Sequence, residues 1–357
     1  MINKQLVLKS KKLRALIAAL CIGAMFCGCN SSEKTKTKYE LGIEALNAQN
    51  FSEALSCFKD SENEHNNKGL VYRGEGIANL GMANYDEAII CFEKSLHESN
   101  GLIKKVDYDV NYYLAAAQYK KGDLQDAYDT YTSILSLDKK ASDAYYLRGK
   151  ISLDMKKADD AKKDYDMAIS IDQSSPELYI RIYKDLIAAG FDNDAKSYIN
   201  VALKNVSKPS TYQLGVFNYY LGDYTQARNY FEEAKETKNT SDGIVYLGKT
   251  YEALDDPGYA QSLYEQYITG DTDSSEVYNE LGKLRFSQGD YEGALAAFET
   301  GLKSNDTSYK QSLMFNKIVA YEYLHDFKTA ATLMEEYISL YPDDADAARE
   351  NVFLSTR

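Results

Sequence analysis

The stretch SQGDYEGALAAFETGL at 287–302 sets a polar turn (Gln288, Gly289, Asp290) before apolar or small residues at 291, 294, 295, 298 and 302. That spacing follows a 3.6-residue period and predicts an amphipathic helix. The same shape recurs in LGDYTQARNYFEEAK at 221–235 and KGDLQDAYDTYTSIL at 121–135. Aligning on the alanine after each turn gives nine copies, at Ala54, Ala88, Ala127, Ala161, Ala195, Ala227, Ala260, Ala294 and Ala330. The intervals are 34, 39, 34, 34, 32, 33, 34 and 36 residues. Four residues after each alanine stands a large side chain: Phe58, Phe92, Tyr131, Tyr165, Ile199, Phe231, Tyr264, Phe298 and Met334. Twelve residues before it a glycine recurs, at Gly42, Gly76, Gly149, Gly215, Gly248 and Gly282, four times within a Leu-Gly pair.

Two antiparallel helices explain these residue types. A small residue on each helix lets the backbones approach, and the bulky residue one turn on fills the gap. Pro176, Pro209 and Pro342 fall at seams between copies and Pro257 in the turn between two helices, away from helix interiors. Ser142, Ser241 and Ser275, each followed by an acid, read as N-caps of first helices. The 39-residue interval marks an insertion, NGLIKKVD, between the second and third copies. The fifth copy, FDNDAKSYINVAL, lacks both Leu-Gly and the aromatic and is expected to be the weakest, a point of flexing.

This pattern resembles the tetratricopeptide repeat, a 34-residue helix–turn–helix unit with Leu-Gly, Ala and aromatic signatures. The resemblance covers 38–342 in nine copies and implies an all-α solenoid, a right-handed superhelix of about nine hairpins. Residues 343–357, with DDADAARENVFL, are expected to form a helix capping the last hairpin.

The N-terminus reads as an address. KSKKLR precedes the apolar run ALIAALCIGAMF and then FCGCN. This resembles a bacterial lipobox, with residues 1–28 as signal peptide, Gly28 before the cleavage and Cys29 lipidated. Phe26 and Cys27 depart from the usual pattern, and an uncleaved anchor or plain secretion stays open. Residues 29–37 would be the lipid-anchored tether, polar and without apolar periodicity. Such an anchor places the protein on the extracytoplasmic face of a bacterial membrane.

Composition narrows the partner. The chain of 357 residues has net charge -13, and losing Lys4, Lys9, Lys11, Lys12 and Arg14 with the signal would make it -18. So acidic a chain is repelled by phosphate backbones, which argues against nucleic acid. The three histidines, His65, His97 and His325, lack partners at metal-ligand spacing, and no phosphate loop or nucleophile elbow is present. No enzyme activity, metal or cofactor is therefore expected. Cys57 and Cys91, 34 residues apart, read as two free thiols, since equal places in successive repeats are too distant to bridge.

Function is then expected in the groove. The resemblance implies that the second, fifth, ninth and twelfth places of each first helix line a concave side. Those places hold Tyr112, Tyr146 and Tyr212 at the fifth, with Asn279 in the eighth copy, and Lys150, Lys184, Lys249 and Lys283 at the ninth. Tyrosine offers flat contact area with a polar handle, and lysine a point charge for a carboxylate or carbonyl. The alternative is that the tyrosines pack the array and each lysine pairs with an acid such as Asp143, Glu177, Asp242 or Glu276. The carboxylate clamp of some tetratricopeptide repeat proteins is suggested only by Asn279 and Lys283. Two functions follow as expectations: a membrane-tethered scaffold for a protein or peptide partner at the cell envelope, or a surface lipoprotein binding a small ligand or glycan for uptake. The absence of Trp disfavours the glycan reading.

Overall fold

The computed structural model describes residues 36–62, 67–98, 105–269, 273–342 and 344–356. The signal peptide, Cys29 and most of the NGLIKKVD insertion lie outside them. The described residues form nineteen helices and no strand, an all-α solenoid. The chain divides into two compact units, 1–171 and 172–357.

In the first unit α1 (Lys38–Asn47) pairs with α2 (Phe51–Ser61), and α3 (Lys68–Gly81) with α4 (Tyr85–His97). Next, α5 (Lys105–Lys121) pairs with α6 (Leu124–Leu137), and α7 (Ser142–Asp154) with α8 (Ala158–Ile171). The second unit starts with α9 (Pro176–Ala188) and α10 (Asp192–Asn205), followed by α11 (Thr211–Leu221) and α12 (Tyr224–Thr237). It continues with α13 (Ser241–Ala253) and α14 (Pro257–Thr269), then α15 (Ser275–Ser287) and α16 (Tyr291–Leu302). The pair α17 (Lys310–Tyr323) and α18 (Phe327–Leu340) precedes a last helix, α19 (Ala345–Leu354). Ala347 and Leu354 of α19 are buried with Ile318, Met334 and Tyr337, so this helix covers the apolar face that the final hairpin leaves open.

The alanine column has no exposed surface in any hairpin, from Ala54 to Ala330. Its glycine counterpart explains the close approach. A Cβ at Gly42, Gly76, Gly149, Gly215, Gly248 or Gly282 would come within 3.0 Å of the ring sixteen residues on: Phe58, Phe92, Tyr165, Phe231, Tyr264 or Phe298. Where the glycine is missing the core is filled differently. Ala115 shares a cluster with Tyr131, and Ile318 one with Met334. The fifth hairpin places Tyr183 there, with Ile199 sixteen residues later.

Each hairpin turn repeats one backbone device. Gln49, Ala83, Gly122, Lys156, Gly190, Gly222, Asp255, Gly289 and His325 all have φ between 59 and 99°, and each stands five residues before its alanine. The next residue donates its N–H to the carbonyl five residues back, as in Asp123 to Gln118 at 2.9 Å and Asp290 to Arg285 at 3.0 Å. This is a Schellman closure, which satisfies carbonyls at the end of the first helix. The same donor residue then caps the second helix: Asp223, Asp290 and Asp326 accept from the N–H groups of Gln226, Gly293 and Thr329. One residue thus closes both helix ends. Because left-handed backbone costs a non-glycine residue about 1–2 kcal/mol, and glycine loses about 0.5–1 kcal/mol of entropy, Lys156→Gly should stabilise by up to about 1 kcal/mol. Gly122→Ala should destabilise. Chemical denaturation of the two variants checks both signs.

The first-helix caps lie one residue earlier than the sequence suggested for two of the three serines. The Thr240 and Ser274 hydroxyls accept from Gly243 and Val277 N–H, making Ser241 and Ser275 first helical residues. Ser142 is likewise inside its helix, and its hydroxyl donates to the Ala168 carbonyl at 3.0 Å. Pro257 opens α14, where its missing N–H is not needed. Cys57 and Cys91 are both free thiols.

Candidate functional site

In the first unit the expected groove residues separate. Tyr146 on α7 has 0% exposure and stacks on Tyr165, centroids 5.8 Å apart at 27°. It offers no surface to a partner and belongs to the core, which corrects its reading as a contact residue. Tyr112 on α5 is half-buried and meets Tyr131 edge-on at 5.8 Å, packed against the cluster around Ala115 and Ala144. Lys150 is half-exposed on α7.

The second unit brings more of the expected residues together, along its first helices α9, α11, α13, α15 and α17. Tyr212 on α11 is half-buried, with Phe231 at 6.0 Å and Tyr246 of α13 edge-on at 6.1 Å. Further tyrosines join it. Tyr183 of α9 lies 4.6 Å from Tyr220 of α11, and the hydroxyls of Tyr220 and Tyr246 are 2.7 Å apart. Lys184 of α9 is exposed and sets its ammonium 5.9 Å from the Tyr220 ring centroid. Burial raises the hydroxyl pKa of Tyr212 and Tyr220, and pushes Tyr246 up to about 12, so these groups stay protonated hydrogen-bond donors at neutral pH.

Beside the tyrosines lies a charged cluster. Glu280 on α15 is buried, and its carboxylate accepts Lys249 Nζ from α13 at 3.2 Å and Lys283 Nζ from its own helix at 2.8 Å. Burial alone would raise the Glu280 pKa, but the two ammonium groups hold it below the usual carboxylate value. Two of the four expected lysines therefore share an acid of the fold, and it is Glu280 rather than Asp242 or Glu276. Asn279 is buried as well, and its carbonyl oxygen accepts from Asn316 Nδ2 of α17 at 2.9 Å.

One turn back, Glu276 has a different environment. Its carboxylate accepts the hydroxyl of Tyr309, while Asp242 of α13 stands close enough both to repel it and to share a hydrogen bond with its protonated form. Burial first, and then Asp242, pushes Glu276 up to about 7 against the help of Tyr309 and Lys249. The folded pKa exceeds the unfolded value of 4.5, so the folded state holds the proton more tightly. The resulting stability is complete at or below pH 4.5 and is lost as pH rises through 7. Glu276→Gln should accordingly melt with the wild type near pH 4.5 and above it at pH 8. Equal melting temperatures at pH 8 would show that Glu276 ionises freely in the fold. Among the described residues no group of three or more His, Cys, Asp or Glu could hold a metal ion.

The geometry has counterparts among known proteins. Models of the tetratricopeptide repeat match residues 109–140, 142–175, 210–240 and 247–309. No curated protein matches the sequence. Yeast Tom70 is similar in structure at TM-score 0.53 and 14% identity, covering 92% of this chain and 78% of that one. A tetratricopeptide repeat protein from Parabacteroides merdae gives TM-score 0.46 at 15% identity, over 70% of this chain and 97% of its own. A MamA segment from Desulfovibrio magneticus gives 0.41 at 16%, over 49% and 96%. At such identities the likeness to Tom70 speaks for the fold alone. The chain carries tetratricopeptide repeats at 109–140, 142–175, 210–240 and 247–309, set within an all-α solenoid.

Proposed function

We propose that this chain is a non-catalytic scaffold, held on the extracytoplasmic face of a bacterial membrane by lipidated Cys29, that grips a protein or peptide segment along the first helices of residues 172–357. Tetratricopeptide repeats generally bind proteins. The observation that carries the reading is the continuous run of polar and aromatic side chains from Lys184 and Tyr212 to Lys249 and Lys283 on consecutive first helices. Half-buried tyrosine, with its hydroxyl protonated and its ring partly shielded, suits extended contact with a polypeptide. The same rings largely pack on one another, which leaves little open platform for a sugar.

A photo-crosslinking amino acid placed at Tyr212 or Lys283 should capture a polypeptide in intact membranes, and one at the exposed Glu233 of α12 should not. Equal capture from all three positions would count against this face. For the anchor, Cys29→Ala should abolish labelling by a fatty-acid probe and leave the chain out of the mature membrane-bound pool. Persistent labelling of Cys29→Ala would remove the anchor from the proposal.

A further inference from the structure

We propose that the tyrosine cluster centred on α11 selects an uncharged partner segment in the polyproline II conformation. Proline at every third residue lodges between rings, and tyrosine hydroxyls hold the backbone carbonyls. This rests on the scaffold reading and adds the conformation and chemistry of the segment. Charge is the first ground. α11, TYQLGVFNYYL, carries neither acid nor base, and acids and bases balance across the five first helices of residues 172–357. Lys249 and Lys283 are both held by the buried Glu280 carboxylate, at 3.2 and 2.8 Å. An anionic group drawing them away would leave that carboxylate buried without a counter-ion, a costly exchange. Charge complementarity therefore favours a neutral segment.

The hydroxyls are the second ground. Those of Tyr220 and Tyr246 pair with each other at 2.7 Å. Among the described residues the hydroxyls of Tyr183, Tyr212 and Tyr219 have no hydrogen-bond partner, and none of the three is sealed from water. Covering them with a purely apolar side chain would forfeit their bonds to water, so the segment must bring acceptors. A helical segment uses its carbonyls internally, and an extended one brings N–H groups that need acceptors of their own. A polyproline II segment leaves its carbonyls free, and each proline removes an N–H.

Geometry is the third ground. Tyr183 of α9 lies 4.6 Å from Tyr220 of α11, which lies 6.1 Å from Tyr246 of α13. The rings thus cross three successive first helices. Tyr246 stands at 80° to Tyr219 and at 83° to Tyr220. A sugar needs an open ring face, whereas a pyrrolidine fits the corner between two rings set nearly at right angles. Polyproline II advances about 3.1 Å per residue with three residues per turn, or about 9 Å per turn. Packed helices lie about 8–10 Å apart. One turn of the segment therefore spans one first helix, and every third residue meets the next set of rings.

Phage-displayed random dodecamers selected on the purified full chain in detergent micelles test this directly. Proline should rise at least threefold above its library frequency, recurring at three-residue spacing, and charged residues should fall. By fluorescence anisotropy, a labelled peptide of four Pro-Ala-Gln repeats should bind at least tenfold more tightly than one of four Gly-Ala-Gln repeats. The variant Tyr212→Phe/Tyr219→Phe keeps both rings and removes two hydroxyls. It should weaken binding of the proline peptide at least fivefold at an unchanged melting temperature. The variant Tyr230→Phe/Tyr259→Phe makes the same change on the second helices α12 and α14 and should leave affinity within twofold. Enriched sequences that lack proline, or are rich in charge, overturn the inference and leave the scaffold reading standing. Equal binding of the two peptides, or the same affinity in both double variants, overturns it as well. Failure to enrich any peptide overturns both readings.

Discussion

Gly282→Ala should lower stability by about 1–3 kcal/mol, the usual cost of forcing extra volume into a packed core. Helix propensity alone says the opposite, since alanine in a helix interior is favoured over glycine by about 0.5–1 kcal/mol. Geometry decides between the two. A Cβ at Gly282 would stand 2.3 Å from Phe298 Cε1 and 2.6 Å from Cδ1. Phe298 is 1% exposed and sits in a cluster with Ala294, Leu313 and Ala320, so its ring cannot swing away into solvent. Phe298→Leu in the alanine background should recover part of the loss, because the smaller side chain gives up the atoms that clash. Alone, Phe298→Leu should destabilise by leaving a void beside Gly282. Urea denaturation of the four proteins gives the coupling energy directly. An alanine variant as stable as the wild type would mean that α15 and α16 separate at little cost, and the small-residue account of the hairpins would fail. In an array of this kind the loss should stay local, so hydrogen exchange should quicken in α15 and α16 before it does in α9 and α10.

That pairing was open to view in the sequence because it is written at constant spacing. Gly282 and Phe298, Gly248 and Tyr264, and four further pairs each stand sixteen residues apart. The left-handed turn residue was half visible. Gly122, Gly190, Gly222 and Gly289 announce it, but Gln49, Ala83, Lys156, Asp255 and His325 adopt the same backbone under the constraint of the two helices they join. The candidate site was less legible, since a place in the repeat does not fix exposure. Tyr146 and Tyr212 hold the same place, yet one stacks on Tyr165 in the core and the other is half-buried beside Tyr246. Lys283 could have been matched to Glu280 by its three-residue spacing on one helix. The reach of Lys249 to that same carboxylate, and of Tyr309 to Glu276, depends on how neighbouring helices register and had no local signal.

Asp109→Ala should cost about 3–5 kcal/mol, the range for stripping one partner from a buried ion pair. Arg73 of α3 and Asp109 of α5 join the first helices of successive hairpins, with side chains only 10% and 11% exposed. Arg73 Nε donates to Asp109 Oδ2 at 2.8 Å and Nη2 donates to the same oxygen. The guanidinium also lies 5.4 Å from the Tyr113 ring centroid. Removing the carboxylate leaves a cation that cannot lose its proton and has little water to turn to. Most of the loss would be that stranded charge rather than the worth of the pair itself. Arg73→Met/Asp109→Leu separates the two contributions. By keeping the volume and removing both charges it should return stability to near the wild type, even though it deletes the same hydrogen bonds. Urea denaturation followed by far-ultraviolet circular dichroism measures both variants. A loss below about 1 kcal/mol for Asp109→Ala, the value of an exposed pair, would mean that water reaches Arg73 in the folded chain. A double variant as unstable as Asp109→Ala would mean instead that the hydrogen bonds themselves hold α3 to α5.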